Sequence, residues 1–331
     1  MRLLLSSIFV LHSLLSTCQI TDEEKNFMSR MTPGTSLPEK LLSTRSAVFY
    51  SYTFTDKELE SIQQTCQRSG IDAMAYFETD ELLAGKDITV AYARYLIKRE
   101  VTNLLFFQKS NKGYKVYMTE FNTKGTIVDQ NQYAWVAEQT SLAELLRKIY
   151  QASGGGTKRL NMLINDVPEK DMEISIIDGR RSDFFAIDLK VDELAVTKTG
   201  NPEMDKALEE TFSNYPYKFK IAEAGTTDQE LRKKGSLYVL CYVHTRGIAA
   251  KKLLGYDMSK SESAIASITY PDSSTTSQLK NIPSNEYVYK FYFKHIDSGN
   301  VFLGTKWDAD ITFEQALKNH YRAFKAELKF N

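Results

Sequence analysis

The feature that most constrains this chain is a pattern written twice. "GYKVYMTEFNTKG", Gly113 to Gly125, alternates in strand fashion and closes on a glycine turn, and "VYKFYFKHIDSGN", Val288 to Asn300, does the same. Tyr114, Lys115 and Tyr117 of the first answer Tyr289, Lys290 and Tyr292 of the second. Each hairpin leads through a second strand to a tryptophan, Trp135 or Trp307, and the 331 residues hold no others. Each tryptophan then precedes a helix. Leu142, Leu145, Leu146 and Ile149 share one helical face, as do Phe313, Ala316, Leu317 and Tyr321.

The match extends upstream. "SAVFYSYTFTDKELESIQQTCQRSGIDAMAYFE" reads as a strand, a helix opened at Thr55–Asp56 and stopped at Gly70, then a strand. "YPYKFKIAEAGTTDQELRKKGSLYVLCYVH" repeats it, with Thr227–Asp228 opening and Gly235 closing the helix. Candidate helices begun by proline, "LPEKLLSTR" and "NPEMDKALEETF", precede the two. In the middle the copies part. One has a long helix, "DITVAYARYLIKREV", and the strand "TNLLFFQ"; the other has a loop and the strand "ESAIASITYP", with that helix lost. The expected fold class is α/β (α+β), with two related units of strand, helix, strand, optional helix, hairpin and helix in tandem. Residues 1–19 read as a signal peptide, 20–156 as the first unit, 157–198 as an inter-unit β segment and 199–331 as the second unit. Within that segment Asp178–Gly179 is expected to turn a hairpin between "EISII" and "FFAIDL".

The first 19 residues set the compartment. Arg2, the apolar run Leu3 to Leu15 and the small residues after it form a secretory signal pattern, too short for a span of about 20 residues. A cut before Gln19 fits Ser16 and Cys18. "LSTC" also resembles a lipoprotein signal in which Cys18 is acylated, although Thr17 departs from the usual small residue. No later segment reaches membrane-spanning length, and no Asn-x-Ser/Thr acceptor occurs. Basic and acidic residues balance at 42 each, so no global field draws in nucleic acid.

A helix running into a strand, "YLIKREVTNLLFFQ", and the closing "FYFKHIDSGNVFLGTKWDADITFEQALKNH" resemble small α/β modules of bacterial envelope proteins. These are the amino-terminal domain of TolB, the curli-secretion lipoprotein CsgG and the lipoprotein activators of cell-wall synthases. The resemblance covers about 60 residues of each unit, is topological, and carries over no catalytic residue. It implies a periplasmic or outer-membrane associated protein that binds envelope proteins, such as an outer-membrane or secretion complex.

Motifs of catalysis are scarce. "GGGTK", Gly154 to Lys158, follows a helix and has threonine before lysine, so it reads as a linker rather than a phosphate loop. His244, His295 and His320 stand at no zinc spacing, and Cys241 beside His244 completes no ligand set; His244 and His295 read as solvated positions. Acids in "ETDELLAGKD" and "NDVPEKDMEISIIDGRRSD" are numerous enough for a glycosidase pair, but no spacing singles out two. Cys66 and Cys241 read as core thiols, which an oxidising compartment would also let bridge. No catalytic, metal or cofactor residue is therefore assigned. Interface candidates are Arg180 and Arg181 in "DGRRSD", and Tyr292 on a hairpin face expected to meet solvent or a partner. The expected function is a non-enzymatic envelope scaffold. The alternatives are a periplasmic hydrolase or carbohydrate-active enzyme, or a small-ligand binder, each with its site at the junction of the units.

Overall fold

The computed structural model describes residues 20–157, 160–170, 172–259, 263–271 and 276–330, so the signal-like run and Cys18 lie outside the described residues. The chain forms two six-stranded mixed sheets with helices on both faces, an α/β fold. The first half supplies β1 (Met31–Gly34), β2 (Arg45–Tyr50), β3 (Asp72–Glu78), β4 (Val101–Ser110), β5 (Gly113–Glu120) and β6 (Gln132–Gln139). Its helices are α1 (Asp22–Met28), α2 (Asp56–Ser69), α3 (Thr79–Leu82), α4 (Lys86–Lys98) and α5 (Leu142–Ala152). The second half supplies β7 (Arg181–Ser182), β8 (Leu194–Thr197), β9 (Phe219–Ala222) and β10 (Tyr238–Arg246). A separate hairpin, β11 (Ala264–Thr269) and β12 (Gln278–Pro283), comes before β13 (Tyr287–His295) and β14 (Val301–Phe302). The helices here are α6 (Pro202–Phe212), α7 (Asp228–Lys233), α8 (Gly247–Leu253) and α9 (Phe313–Leu328).

The sheet orders are β1-β6-β5-β4-β2-β3 and β7-β14-β13-β10-β8-β9. Strand for strand the directions agree: the outer pair is parallel, the next three neighbours are joined antiparallel, and the last three strands run parallel. Local sequence explains the elements. Leu104 and Phe106 of β4 face one core while Leu105 and Phe107 face another, so this strand is an unbroken apolar run. Thr55 and Glu58 form a reciprocal cap on α2, and Gly70 stops it at φ 85°, a conformation glycine adopts without strain. Thr227 and Glu230 cap α7 in the same way.

Several expectations change. The leading strand, helix and strand of the first half (β2, α2, β3) take the places of β8, α6 and β9, not of β9, α7 and β10. The repeat is thus displaced by one strand–helix pair, and the short α7 stands where the first half has α4; the helix is shortened, not lost. "LPEKLLSTR" forms turns and then enters β2 at Arg45, not a helix. Trp135 lies within β6, whereas Trp307 follows β14 in a loop, so the two are not equivalent. No hairpin forms at Asp178–Gly179. Gly179 instead donates to Gly299, and Ile187–Lys190 is a 3-10 turn. The inter-unit segment does reach both sheets: Glu169 bridges Ala75 beside β3, and β7 pairs with β14.

Packing follows three apolar layers. α2 and α5 cover the outer face of the first sheet, with Ile62, Cys66, Leu145 and Ile149 against Leu105 and Phe107. α6 and α9 cover the second, with Phe212, Leu317 and Phe324 against Leu240 and Phe293. Between the sheets runs one common core. There Phe49, Phe77 and Phe106 meet Tyr92 of α4, Leu253 of α8 and Val243, Val288 and Tyr292 of the second sheet.

Candidate functional site

The junction of the two halves is a buried polar seam around that common core. Arg246, at the end of β10, donates to Asp80 at 2.7 Å and pairs with Glu78, while its guanidinium lies 4.1 Å above the Tyr52 ring. Thr245 donates to the same Asp80 oxygen at 3.0 Å. Lys252 of α8 meets Glu81 at 2.8 Å, and Tyr92 donates to the other oxygen of Glu81. Tyr292 and Lys294 of β13 converge on Asp87 at 2.9 and 2.6 Å, and His244 faces Glu23 at 3.0 Å. In this seam the acids Glu23, Glu78, Asp80, Glu81 and Asp87 come from the first half and their cationic partners and His244 from the second. The chain backbones also meet: His244 donates its amide to Ala84 at 2.7 Å, and a side chain on Gly85 would stand 2.9 Å from the Tyr242 carbonyl oxygen.

Burial raises Glu78 from its ordinary 4.5 to about 7, because the Arg246 charge that opposes this is shared with Asp80. The unfolded chain therefore gives up this proton near pH 4.5 and the folded chain near pH 7. Above pH 4.5 the folded state holds the extra proton, so stability falls as pH rises through that window, by about 3 kcal/mol from this group. The difference in unfolding free energy between wild type and Glu78→Gln, measured from pH 4.5 to 7.5, should fall as pH rises, whatever slope other groups add to both. Parallel curves would place the slope on another group.

Beside this seam lies a cavity of about 250 Å³. β8 pairs with β10 only as far as Leu240, and beyond it β10 meets Ala84 and Gly85 of the first half rather than a neighbouring strand, leaving a gap at Cys241 and Tyr242. The opening falls at the carboxyl ends of parallel strands, at the point where the chain path reverses between β8 and β10. Tyr242, Phe291, Phe313 and Leu208 make its apolar wall, and Asp87 and Asp228 line its polar side. Burial and the nearby Asp87 carboxylate push the Cys241 thiol well above its ordinary value, so it is a neutral wall group rather than a nucleophile. The matching crevice of the first sheet is closed to about 10 Å³, among Ser51, Asp80 and Tyr287. There β2 stays paired with β4 as far as Phe107.

The sequence candidates fall in different places. Tyr292 is 1% exposed and Lys290 fully buried, so the face expected to meet solvent or a partner instead faces the junction core. Both faces of β13 are covered, and alternation alone cannot tell a covered face from a wet one. Arg181 donates to the Leu254 carbonyl at 2.8 Å and lies 4.6 Å above Tyr256, while Arg180 is exposed. The three histidines sit apart in role. His244, far from solvated, stacks on Tyr289 at 3.8 Å; His295 accepts from the Ser298 amide; His320 bonds Asp308. Cys66 and Cys241 are free thiols, each in its own core. The acids of "ETDELLAGKD", candidates for a glycosidase pair, are those spent on Arg246, Lys252 and Lys294.

One feature escaped the sequence reading. In residues 160–167 the backbone is tied to the first half: the Leu160 and Asn161 amides donate to Leu42, Asn161 reaches Gly70, and Asn165 bonds Asp72 and Gln63. Yet Leu160, Met162, Leu163 and Val167 are 69–89% exposed. The run "LNMLI" reads as an ordinary strand, and nothing local marks both its faces as bare. Comparison with known proteins adds no relative: no protein-family model matches the chain, and no curated protein matches it.

Proposed function

We propose that this chain is an exported, non-enzymatic accessory protein of the cell envelope, working by contact with a partner protein in a larger outer-membrane or secretion assembly. The observation that carries the reading is the strip 160–167. Its backbone is anchored to the first half at Leu160, Asn161 and Asn165 while four large apolar side chains are held out in water. A soluble surface gains nothing from fixing such side chains outward, whereas a partner that covers them gains their burial. The junction acids that a hydrolase would need are committed to Arg246, Lys252 and Lys294, which supports the scaffold reading over catalysis there. The export part rests on the Leu3 to Leu15 run and the small residues before Gln19.

The test is a photo-crosslinking residue placed at Met162 in cells, alongside the pair Met162→Glu and Leu163→Glu. The expected outcome is a crosslink to one envelope protein and loss of that partner from the double variant. Its stability should stay within about 0.5 kcal/mol of wild type, as for exposed positions. Absence of any crosslink, or full retention of the partner by the folded double variant, overturns the reading.

A further inference from the structure

We infer that the junction cavity is a binding site for a small aromatic molecule bearing a hydroxyl or amino group. The cavity lies where β8 stops after four residues while β10 runs on for nine, in the gap between the end of β8 and Gly85–Asp87 of the first half, at a switch point. Ligands of open α/β sheets bind at such crevices. Its volume of about 250 Å³ suits a body of about ten non-hydrogen atoms, given that a 150 Å³ apolar cavity takes benzene.

The walls select the chemistry. Tyr242, Phe291 and Phe313 stand at 5.1–5.6 Å from one another, Phe313 edge-to-face with both and the other two tilted, a ready surface for one more ring. The lysines around it all have partners: Lys86 donates to the Thr226 carbonyl, Lys198 meets Glu209, and Lys294 bridges Asp87 and Asp228. An anionic head therefore meets carboxylates and committed cations. A hydroxyl or amine instead finds acceptors in Asp228, which is 39% exposed at the rim, and Asp87. The matching crevice of the first sheet shows the same pairing filled from within: the Arg246 cation stacks on Tyr52 and donates to Asp80. This site uses none of the residues of strip 160–167, so it stands or falls apart from the partner contact.

The experiment is calorimetric titration of the full chain with tyramine, indole and 3-phenylpropionate, repeated on Thr197→Tyr, which fills the mouth, and on Asp228→Asn. Tyramine and indole should bind with Kd of roughly tens to hundreds of micromolar, and 3-phenylpropionate more weakly by at least about tenfold. Thr197→Tyr should weaken both ligands by about tenfold or more, and Asp228→Asn should weaken tyramine more than indole. No heat from tyramine or indole up to about 5 mM overturns the site. Tighter binding of 3-phenylpropionate overturns the chemistry. Affinities unchanged in Asp228→Asn and in the folded Thr197→Tyr variant place any binding elsewhere; should Thr197→Tyr fail to fold, Asp228→Asn alone decides.

Discussion

Arg246→Ala should lower the unfolding free energy by about 3–5 kcal/mol. Removing the guanidinium leaves Asp80, 6% exposed at its side chain, and Glu78 facing each other without the cation that both use. It also uncovers the Tyr52 ring and strips Asp80 of its shortest bond, at 2.7 Å. Part of the loss returns in Arg246→Ala combined with Asp80→Asn, because the second change removes a buried charge with no partner left. Chemical denaturation of the two variants and of Asp80→Asn alone closes the cycle. A cost below about 1 kcal/mol for Arg246→Ala would mean that water reaches the seam and screens it.

The second large effect lies inside the second half. Lys290, Asp308 and His320 form a triad that is 0–1% exposed: Lys290 meets Asp308 at 2.7 Å and donates to the Leu303 carbonyl, and His320 bonds the other Asp308 oxygen at 3.0 Å. Burial alone would raise Asp308, but the Lys290 ammonium and His320 outweigh it and hold the carboxyl below its ordinary value. Burial lowers His320, against the pull of the Asp308 carboxylate, and so favours its neutral form. Lys290→Met should cost about 3–5 kcal/mol by leaving Asp308 buried and uncompensated, and Asp308→Asn added to it should recover part of that. The pH response has a definite sign. Below about pH 6.5 the unfolded chain binds a proton on His320 that the folded chain refuses, so stability drops as pH falls. Protonation of Asp308 extends the drop at lower pH, since its folded value is depressed. Thermal midpoints of wild type and Lys290→Met between pH 4 and 7 measure both effects. Because Glu78 slopes the other way in this window, His320→Gln is the control, and a profile parallel to that of the wild type would remove His320 from the account.

Those two seams show what sequence could and could not reveal. Spacing alone placed Leu145, Leu146 and Ile149 on the buried face of α5, because a helix with one wet face writes its period into the chain, and Cys66 is a core thiol of α2 as its sequence suggests. Alternation placed β5 and β13 and made a pair of them. It did not reveal that β13 is covered on both sides: a lysine at every other place reads as solvent until Asp308, on a loop 18 residues later, is folded against it. The acids Glu78, Asp80, Glu81 and Asp87 look like an ordinary wet turn, since the cations that claim them stand more than 160 positions away. The wrong alignment of the leading elements has a similar cause. Threonine, acid and glycine signals open and close α2 and α7 alike, so local capping chemistry matched two helices that sit in different layers. The cavity was illegible for a further reason. It arises from the length of β8, and strand ends are set by what pairs beside them.

The charge seam also fixes how copies of this chain relate to one another. With Glu78, Asp80, Glu81 and Asp87 on one side and Arg246, Lys252 and Lys294 on the other, the contact is heterologous rather than self-complementary. Two first halves meeting face to face bring acid to acid. The front of one chain meeting the back of a neighbour reproduces each pairing, and repetition of that step has no natural end. Closure within one chain is favoured by the covalent stretch between the halves, which Arg94–Asp178 and Arg99–Glu169, both partly exposed, only help to position. That link keeps each acid face at high effective concentration beside its own cations. A longer intervening stretch would lower that concentration and ease the exchange of halves between copies.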